Sequence, residues 1–238
     1  MTKQYHYPGR ELELFEEAKN WKRYFATHIK KYIQGDVIEV GAGIGETTAF
    51  LVNEKVNSWI CLEPDRTLFD TIQQKIERKV LPGYCQAIRG TLDNIEPNKK
   101  FDTIIYIDVL EHIENDHAEI IQACNHLKNN GHLIILSPAF QFLYTPFDRA
   151  IGHFRRYTKK TLSAVVSCSN LVKQKMLYLE SAGALLLIIN KLLLKKNNPS
   201  RAVVKIWDAV FVPLSRISDK LSFHFIGKTI IGVWRYKI

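Results

Sequence analysis

The sequence contains few cysteines, and they follow no functional pattern. Among 238 residues there are four, scattered without a C-x-x-C pair or the spacing of a zinc site: Cys61, Cys85, Cys124 and Cys168. Cys61 and Cys85 lie in apolar, strand-like runs, where a small buried thiol is the expected role. We therefore predict no metal site, and a reducing cytoplasm as the location.

Two kinds of hydrophobic segment are also missing. Residues 1–9 lack the apolar core that a signal peptide needs. The strongly apolar residues 181–194 are too few, and too interrupted by Asn190 and Lys191, to span a bilayer. No internal repeat or low-complexity region occurs. The length allows one large α/β domain with a sizeable core.

Acidic residues are scarce in the last third of the chain. Residues 151–238 contain sixteen Lys and Arg against three acidic residues, whereas residues 1–150 contain 17 basic and 21 acidic ones. A basic C-terminal third is compatible with an anionic substrate, a membrane surface, nucleic acid or a merely solvated charged face. Charge alone leaves these alternatives open.

Glycines are concentrated at one place, but not in either of two common nucleotide-binding patterns. Residues 37–40 favour a strand, Gly41, Gly43 and Gly45 follow, and a helix-forming run starts at Glu46. This order predicts a buried strand, a turn without side chains and a helix whose N-terminus faces a ligand. A dinucleotide-binding turn would need glycine at Glu46, and the Gly-Lys-Ser/Thr of a Walker loop is absent at its required spacing.

Predicted strands alternate with predicted helices. The strands are apolar runs at residues 37–40, 58–62, 84–89, 101–108, 132–136 and 171–179, with a final edge strand at 227–236. The helices fall at residues 11–33, 46–53, 66–79, 116–127, 158–162, 181–194 and 201–221, and residues 129–131 are predicted to end the fourth of them. Such alternation is typical of a mostly parallel sheet covered on both faces. Glu63, Asp108 and the glycine turn fall at carboxyl ends of strands, where ligands bind in such sheets.

The glycine turn and the segments after it resemble class I methyltransferases that use S-adenosylmethionine. The resemblance is carried by Glu39-x-Gly41-x-Gly43-x-Gly45, by Glu63, by residues 102–113 with their Leu-Glu-His ending, and by residues 127–135. It covers roughly residues 10–160. It implies an α/β, Rossmann-like, mostly parallel seven-stranded sheet with helices on both faces and a last antiparallel strand at residues 227–237.

The same resemblance implies a domain plan and a cofactor. One domain spans residues 1–238, with a core at about 30–180 and 225–238, an N-terminal helical lid at 5–33 and a C-terminal helical cap insertion at about 181–224. S-adenosylmethionine is the implied cofactor and S-adenosylhomocysteine the product. The expected cofactor contacts are Glu39, Gly41, Ala42, Gly43, Gly45, Glu63, Pro64, Thr91, Leu92, Asp108 and Val109. In the family, the acid at the position of Glu63 accepts hydrogen bonds from both ribose hydroxyls. Thr91 departs from the pattern, because the family often has aspartate there.

Residues 144–158 resemble a loop of bacterial methyltransferases that act on small molecules. The expected acceptor contacts are Tyr144, Asp148, His153, Arg155, Arg156 and Tyr157, although the loop could equally be ordered by its own salt bridges. A hydroxyl acceptor benefits from a general base, for which His112 and His153 are the catalytic candidates. Tyr5, His6 and Tyr7 could fold over a ligand or pack as core aromatics.

The predicted activity is methyl transfer to an oxygen or nitrogen of a small-molecule or lipid-like, possibly anionic acceptor. The apolar segment 181–194, followed by Lys195, Lys196, Arg201 and Lys205, would suit a lipid-like acceptor, a membrane surface or a dimer interface. The protein is accordingly expected to be a monomer or homodimer with peripheral membrane contact as one alternative. A nucleic-acid methyltransferase is disfavoured because no Asp/Asn-Pro-Pro-Tyr/Phe signature occurs. A nicotinamide-dependent oxidoreductase is disfavoured by Glu46, and a non-catalytic binding module remains an alternative.

Overall fold

The computed structural model describes residues 7–9, 11–167, 170–189 and 200–237. Several residues of the sequence analysis lie outside the described residues: Tyr5, His6, Cys168, Asn190, Lys191, Lys195 and Lys196. Cys61 and Cys85 are buried, which confirms the prediction for both, and Cys124 is buried as well.

The described residues form one seven-stranded sheet with the order β3-β2-β1-β4-β5-β7-β6. Its strands are β1 Gly35–Val40, β2 Val56–Glu63, β3 Cys85–Arg89, β4 Phe101–Ile107, β5 Leu127–Pro138, β6 Leu171–Leu179 and β7 Thr229–Tyr236. The first five strands are parallel, and β7 runs antiparallel to both β5 and β6. The last four residues of β1 are buried, as expected for a strand covered on both faces. The predicted α/β fold is confirmed.

Helices cover both faces of the sheet, and two hydrophobic clusters lie between them and the strands. The helices are α1 Glu11–Phe15, α2 Lys19–Ile29, α3 Glu46–Leu51, α4 Arg66–Glu77, α5 Asp116–Asn125, α6 Pro146–Ala150, α7 Lys159–Val165, α8 Ser181–Ile189, α9 Arg201–Ile206 and α10 Val212–Leu221. A π-helical stretch, Trp207–Phe211, joins α9 to α10. None of the described helices is long and apolar enough to cross a membrane.

Three details of the sequence-based prediction are wrong. The last strand does not lie at the edge, because β7 is inserted between β5 and β6 and its first six residues are buried, so β6 is the edge strand. Residues 129–131 do not end a helix: α5 ends at Asn125 and β5 begins at Leu127, and the positive φ of Asn130 (66°) bends this strand instead. The predicted first helix is divided, because α1 ends at Phe15 and α2 begins at Lys19.

The described residues between β6 and β7, 180–189 and 200–228, form a helical insertion that is joined to α2 by hydrogen bonds to buried carboxylates. The residue before α2, Ala18, has no side chain to accept from the first free N–H groups of this helix. Asp208 accepts these bonds instead, from Asn20 N (3.1 Å) and Trp21 N (2.8 Å). Asp219 accepts a hydrogen bond from Oη of Tyr24, which also lies on α2, and another from the backbone N–H of Ser181, the first residue of α8. The N-terminal helices and the insertion therefore support each other.

Candidate active site

The glycine turn lies at the carboxyl end of β1 and requires glycine for two physical reasons. Gly41, Gly43 and Gly45 all have φ between 58° and 73°, in the left-handed region that favours glycine. A Cβ on Gly41 would lie 2.6 Å from Cγ2 of Val109, so the backbone can approach the end of β4 only without a side chain. The turn thus packs its backbone closely at the edge where β1 and β4 end.

Glu63, the last residue of β2, holds this turn from the adjacent strand. Its Oε2 accepts a hydrogen bond from Gly43 N and its Oε1 accepts one from Asp65 N, both at 2.9 Å. Burial raises the pKa of Glu63 to about 7, against the two backbone hydrogen bonds, which lower it. A carboxylate has about four lone-pair sites, so two remain for further donors.

Glu39 lies beneath the turn rather than on its surface. The residue is 1% exposed, and its Oε2 accepts hydrogen bonds from Thr48 Oγ1 (2.5 Å) and Trp59 Nε1 (3.2 Å). Burial raises the pKa of Glu39 to about 7, despite these hydrogen bonds. The side chain joins β1, α3 and β2, and any effect on a cofactor passes through the position of the turn.

Two of the predicted cofactor contacts, Thr91 and Leu92, lie beyond β3. Thr91 is half-buried and begins a short 3₁₀ turn, in a reciprocal capping arrangement with Asn94. Leu92 is fully buried in the core, below this turn. Pro64, after Glu63, is half-buried. These three residues and Ala42 surround the ends of β1, β2 and β3, the edge at which the sequence predicts the cofactor.

Asp108 has the features of a residue that lines a cleft. It follows β4 with a φ of 53°, which is uncommon for a residue other than glycine and typical of functional sites. The residue is exposed to solvent, yet desolvation by the surrounding protein, reinforced by Glu180, raises the pKa of Asp108 to about 7. Asp108 is therefore open to solvent at the carboxyl end of β4.

The N-terminal residues lie over this edge. Tyr7 N donates a hydrogen bond to Asp65 Oδ2 (2.9 Å), and the ring of Tyr7 packs 5.6 Å from that of His112. Leu12 of α1 lies 3.5 Å from the position of a Cβ on Gly43. Tyr7 therefore packs against other residues, as in one of the two alternatives drawn from the sequence. The residues it contacts belong to the candidate site itself.

On the other side of Asp108, three side chains of metal- or proton-binding type converge. Glu111 and His112 follow β4 in a 3₁₀ turn, and His153 comes from the loop after α6. The rings of the two histidines pack edge to face at 4.5 Å, and His153 Nε2 lies 3.9 Å from Glu111 Oε1. Burial and the neighbouring His153 lower the pKa of His112 to about 3, and burial and Asp108 raise the pKa of Glu111 well above its usual range.

Asp148 fixes the loop that carries His153. Its carboxylate accepts from Arg156 through Nε and Nη2, both at 2.9 Å, and pairs with His153 Nδ1 at 3.0 Å. Burial alone would raise the pKa of Asp148, but His153, Arg156 and Thr145 outweigh it and lower the pKa to about 2. Tyr144 Oη donates to the carbonyl of His153 (2.6 Å).

The two remaining predicted acceptor contacts lie apart from this group. Tyr157 is 1% exposed and donates to Asp116 Oδ2 (2.8 Å), so it offers no surface to an acceptor. Arg155 pairs with the same carboxylate at 2.5 Å. Both residues attach the loop to α5. This position agrees with the alternative stated for the sequence, in which salt bridges order the loop.

The sequence-based prediction missed Glu111. Its one signal was its place beside His112 in the Leu-Glu-His segment, and nothing in the sequence gives the distance from this segment to His153. The prediction also missed the contribution of the Tyr7 backbone, which no side-chain pattern can reveal.

The residues at this edge fit S-adenosylmethionine. The turn carries no side chain at Gly41, Gly43 and Gly45, Glu63 retains acceptor sites for two ribose hydroxyls, and Asp108 is exposed at the end of the adjacent strand β4. Because the third glycine of a dinucleotide-binding turn is replaced by Glu46, the turn is not of the pyrophosphate-binding type.

Comparison with known proteins agrees with this site. Residues 10–173 match the family model described as a methyltransferase domain. The chain belongs to this family, and the matched residues form an S-adenosylmethionine-dependent methyltransferase domain.

The relatives with curated functions are distant. Over 106 residues the chain is 28% identical to a ubiquinone biosynthesis O-methyltransferase of Rickettsia typhi, a match that covers 42% of this chain and 39% of that protein. The chain thus matches about two fifths of the length of this relative.

The fold also occurs in solved structures. An S-adenosylmethionine-dependent methyltransferase from Clostridium acetobutylicum superposes with a TM-score of 0.59 at 12% identity, covering 93% of each chain. The N-methyltransferase NodS of Bradyrhizobium japonicum, in complex with S-adenosylhomocysteine, superposes with a TM-score of 0.55 at 12% identity, covering 93% of this chain and 87% of NodS.

Proposed function

We propose that this protein transfers the methyl group of S-adenosylmethionine to a hydroxyl oxygen of a small, lipid-like acceptor. The observation that carries the proposal is that one short segment after β4 reaches both groups: Val109, next to Asp108, packs against Gly41 of the turn, and Glu111 and His112 follow and meet His153. A cofactor on the turn would then direct its methyl group towards groups able to bind a hydroxyl. The O-methyltransferase activity named for the Rickettsia relative supports oxygen over nitrogen.

The sulfonium supplies an activated methyl group, so this chain has mainly to align the acceptor and deal with its proton. The acceptor oxygen forms a bond to the methyl carbon while the carbon–sulfur electron pair remains on sulfur. His153 is the proposed site for the hydroxyl proton, and Asp148 orients it through Nδ1. His112, whose pKa is lowered to about 3, packs against the ring of His153 and is not the proton acceptor in this proposal. An aromatic amine acceptor would need no such group, because its lone pair is free at neutral pH.

We also propose that the N-terminal residues act as a lid. Tyr7 and Leu12 lie over the turn and His112, so they would have to move for a ligand to enter and would exclude water after it has bound. In this proposal the lid contains fewer residues than the predicted range 5–33, because α2 is packed into the core through Phe25 and Ile29.

An apolar surface on the helical insertion supports a lipid-like acceptor. Six exposed side chains on the helix from α9 to α10 recur every three or four residues and so share one helical face: Val203, Ile206, Val210, Leu214, Ile217 and Leu221. We call this face the apolar stripe. Arg201, Lys205, Arg216 and Lys220 are exposed on the same helix, whereas its acids, Asp208 and Asp219, are buried. Lys205 pairs with the exposed Glu17, but the exposed charges of the helix itself are all cations, which suits an anionic lipid surface.

The experiment is a methyl-transfer assay with matched acceptors. Phenols with alkyl chains of increasing length are compared with anilines of the same shape, using labelled S-adenosylmethionine and mass spectrometry of the products. We expect O-methylated phenols, with kcat/KM rising with chain length, and at least tenfold slower transfer to anilines. Transfer to anilines at an equal rate, or to no hydroxyl compound of the series, would refute the proposal.

A further inference from the structure

We propose that Glu111, His112 and His153 form a binding site for one divalent transition-metal ion, with Zn²⁺ as the reference ion. One ligand atom from each residue lies within 4.8 Å of the other two. The sequence predicts no metal site because the ligands come from two segments, the end of β4 and the loop after α6, that only the fold brings together.

One atom of the group is buried without a partner, and it faces the proposed ion position. Glu111 is fully buried, and among the described residues its Oε1 has no hydrogen-bond partner. A buried carboxylate oxygen without a partner is costly, and a cation would satisfy it. The same oxygen lies 3.9 Å from His153 Nε2, the ring nitrogen that no hydrogen bond of the described residues occupies.

Each of the three side chains is also oriented by a further hydrogen-bond partner. Ser137 Oγ donates to the other oxygen of Glu111 at 2.9 Å, Asp148 pairs with the other nitrogen of His153 at 3.0 Å, and the Gly152 backbone hydrogen-bonds to His112. Metal-binding histidines and carboxylates in proteins are oriented by such partners, usually a carboxylate or backbone group on the second imidazole nitrogen. A loop stabilised only by salt bridges would have no need to leave Glu111 Oε1 and His153 Nε2 facing each other.

Two imidazoles and one carboxylate favour Zn²⁺ or a neighbouring transition metal over Mg²⁺, which prefers oxygen ligands. In a tetrahedral zinc site the ligand atoms lie about 3.3–3.6 Å apart. The distances between the ligand atoms of the three side chains would therefore have to shorten by about 1 Å when the ion binds. Three protein ligands leave a fourth position open, as in catalytic zinc sites.

The binding site stands on geometry alone, but its role rests on the proposed function. An acceptor hydroxyl in the open position would have its pKa lowered by the cation, and its proton would pass to solvent before the oxygen attacks the methyl carbon. His153 would then be a ligand rather than the proton acceptor. The acceptors favoured would be those with a hydroxyl that can reach the cation.

The test measures metal binding directly on the full chain. Protein freed of metal with EDTA is titrated with ZnCl₂ by calorimetry, and we expect one Zn²⁺ per chain with a Kd below about 1 µM. Glu111→Gln and His153→Gln should weaken binding at least 100-fold, and Asp148→Asn about 10- to 100-fold, since it acts through His153. The matched control is His117→Gln, an exposed histidine of α5, which should change the Kd less than twofold.

Titration with S-adenosylhomocysteine verifies that each variant is folded. If the substitutions prevent folding, the Co²⁺-loaded wild-type protein decides, since two imidazole rings should show paramagnetically shifted NMR signals. Absence of stoichiometric Zn²⁺ binding, binding unchanged by Glu111→Gln and His153→Gln, or fewer than two shifted rings would each overturn the proposal. A confirmed site without transfer to hydroxyls would refute the proposed function alone.

Discussion

Glu63 is the side chain whose geometry most directly predicts an effect on the cofactor. Its oxygens already accept from Gly43 N and Asp65 N, and ribose hydroxyls would use the remaining lone pairs. We expect Glu63→Ala to weaken S-adenosylhomocysteine binding more than tenfold, about 1.4 kcal/mol, because both the ribose contacts and the support of the turn are lost. Isothermal titration measures the Kd.

Asp70→Ala is the control for this substitution, because Asp70 is exposed on α4 and pairs only with Arg66 of the same helix. Its Kd should equal that of the wild type. An unchanged Kd in Glu63→Ala would mean that the ribose lies elsewhere.

Glu39 makes a second prediction, about stability rather than binding. Its pKa is about 7 in the folded protein and 4.5 as a reference value, so the folded state favours the protonated form. The contribution to stability is complete below the unfolded pKa and is lost as the pH rises through about 7. Glu39→Gln removes this titration. Between pH 4.5 and 8 the free energy of unfolding of the variant should therefore rise relative to that of the wild type, by on the order of 3 kcal/mol.

Urea unfolding at a series of pH values checks this prediction. Glu77→Gln, on the exposed end of α4, should show a pH-independent difference from the wild type. A constant difference for Glu39→Gln would contradict the argument and indicate that Glu39 is ionised without cost in the folded protein.

At the scale of elements, the start of α2 depends on a residue 188 positions away. Asp208 accepts from Asn20 N and Trp21 N, so it supplies the cap that Ala18 lacks. Asp208→Ala should lower the free energy of unfolding by about 1–2 kcal/mol, the usual cost of a lost cap. Asp208→Asn, which keeps one acceptor oxygen, should lose less.

Thermal unfolding measures both variants, and about 2–4 °C per kcal/mol is expected for a chain of this size. The control is Asp70→Ala, whose exposed ion pair should contribute less than about 1 kcal/mol. Equal melting temperatures for Asp208→Ala and wild type would show that α2 needs no partner from the insertion.

Elements with strong local patterns were predicted from the sequence, and those set by distant contacts were not. The strands before the glycine turn and Glu63 are buried on both sides, so their apolar runs identify them. The place of β7 depends on pairing with β5 and β6 at once, which its own residues do not encode. The short α6 was missed because it occupies a segment rich in aromatic and charged residues without a clear period.

The candidate site divides in the same way. The turn could be predicted because three glycines at alternate positions require a particular backbone, which the φ angles confirm. The Glu111–His112–His153 group could not, because its geometry depends on the loop after α6, which Asp148 and Arg156 hold in place. Arg155 and Tyr157 were assigned to the acceptor from a resemblance, whereas burial and Asp116 give them a structural position.

For the whole molecule, charge and apolar exposure coincide. The net charge is +9, and the excess lies in the last third of the chain, where the apolar stripe is also found. Phe223, 79% exposed, and Phe225 extend the apolar surface just beyond α10. Exposed apolar residues of this number on one face indicate an interaction surface, and the surrounding cations favour an anionic bilayer as its partner.

We therefore expect the protein to bind vesicles that contain anionic phospholipid, and to bind zwitterionic vesicles at least tenfold more weakly. Leu214→Gln and Ile217→Gln should each weaken binding severalfold, because each removes an apolar side chain from the lipid contact. Val80→Gln is the matched control, since Val80 is equally apolar and exposed but lies after α4, away from the stripe. Co-sedimentation at two salt concentrations separates the charge contribution, which high salt screens, from the apolar one.

Light scattering on the same variants tests the competing partner of the stripe, a second copy of the chain. A wild-type dimer that Leu214→Gln and Ile217→Gln convert to monomer, together with absence of vesicle binding, would assign the stripe to a subunit interface and contradict the membrane proposal. Vesicle binding by a monomer would instead place the site beside a bilayer. The acceptor could then enter from the lipid phase, and transfer to long-chain phenols should rise when anionic vesicles are added.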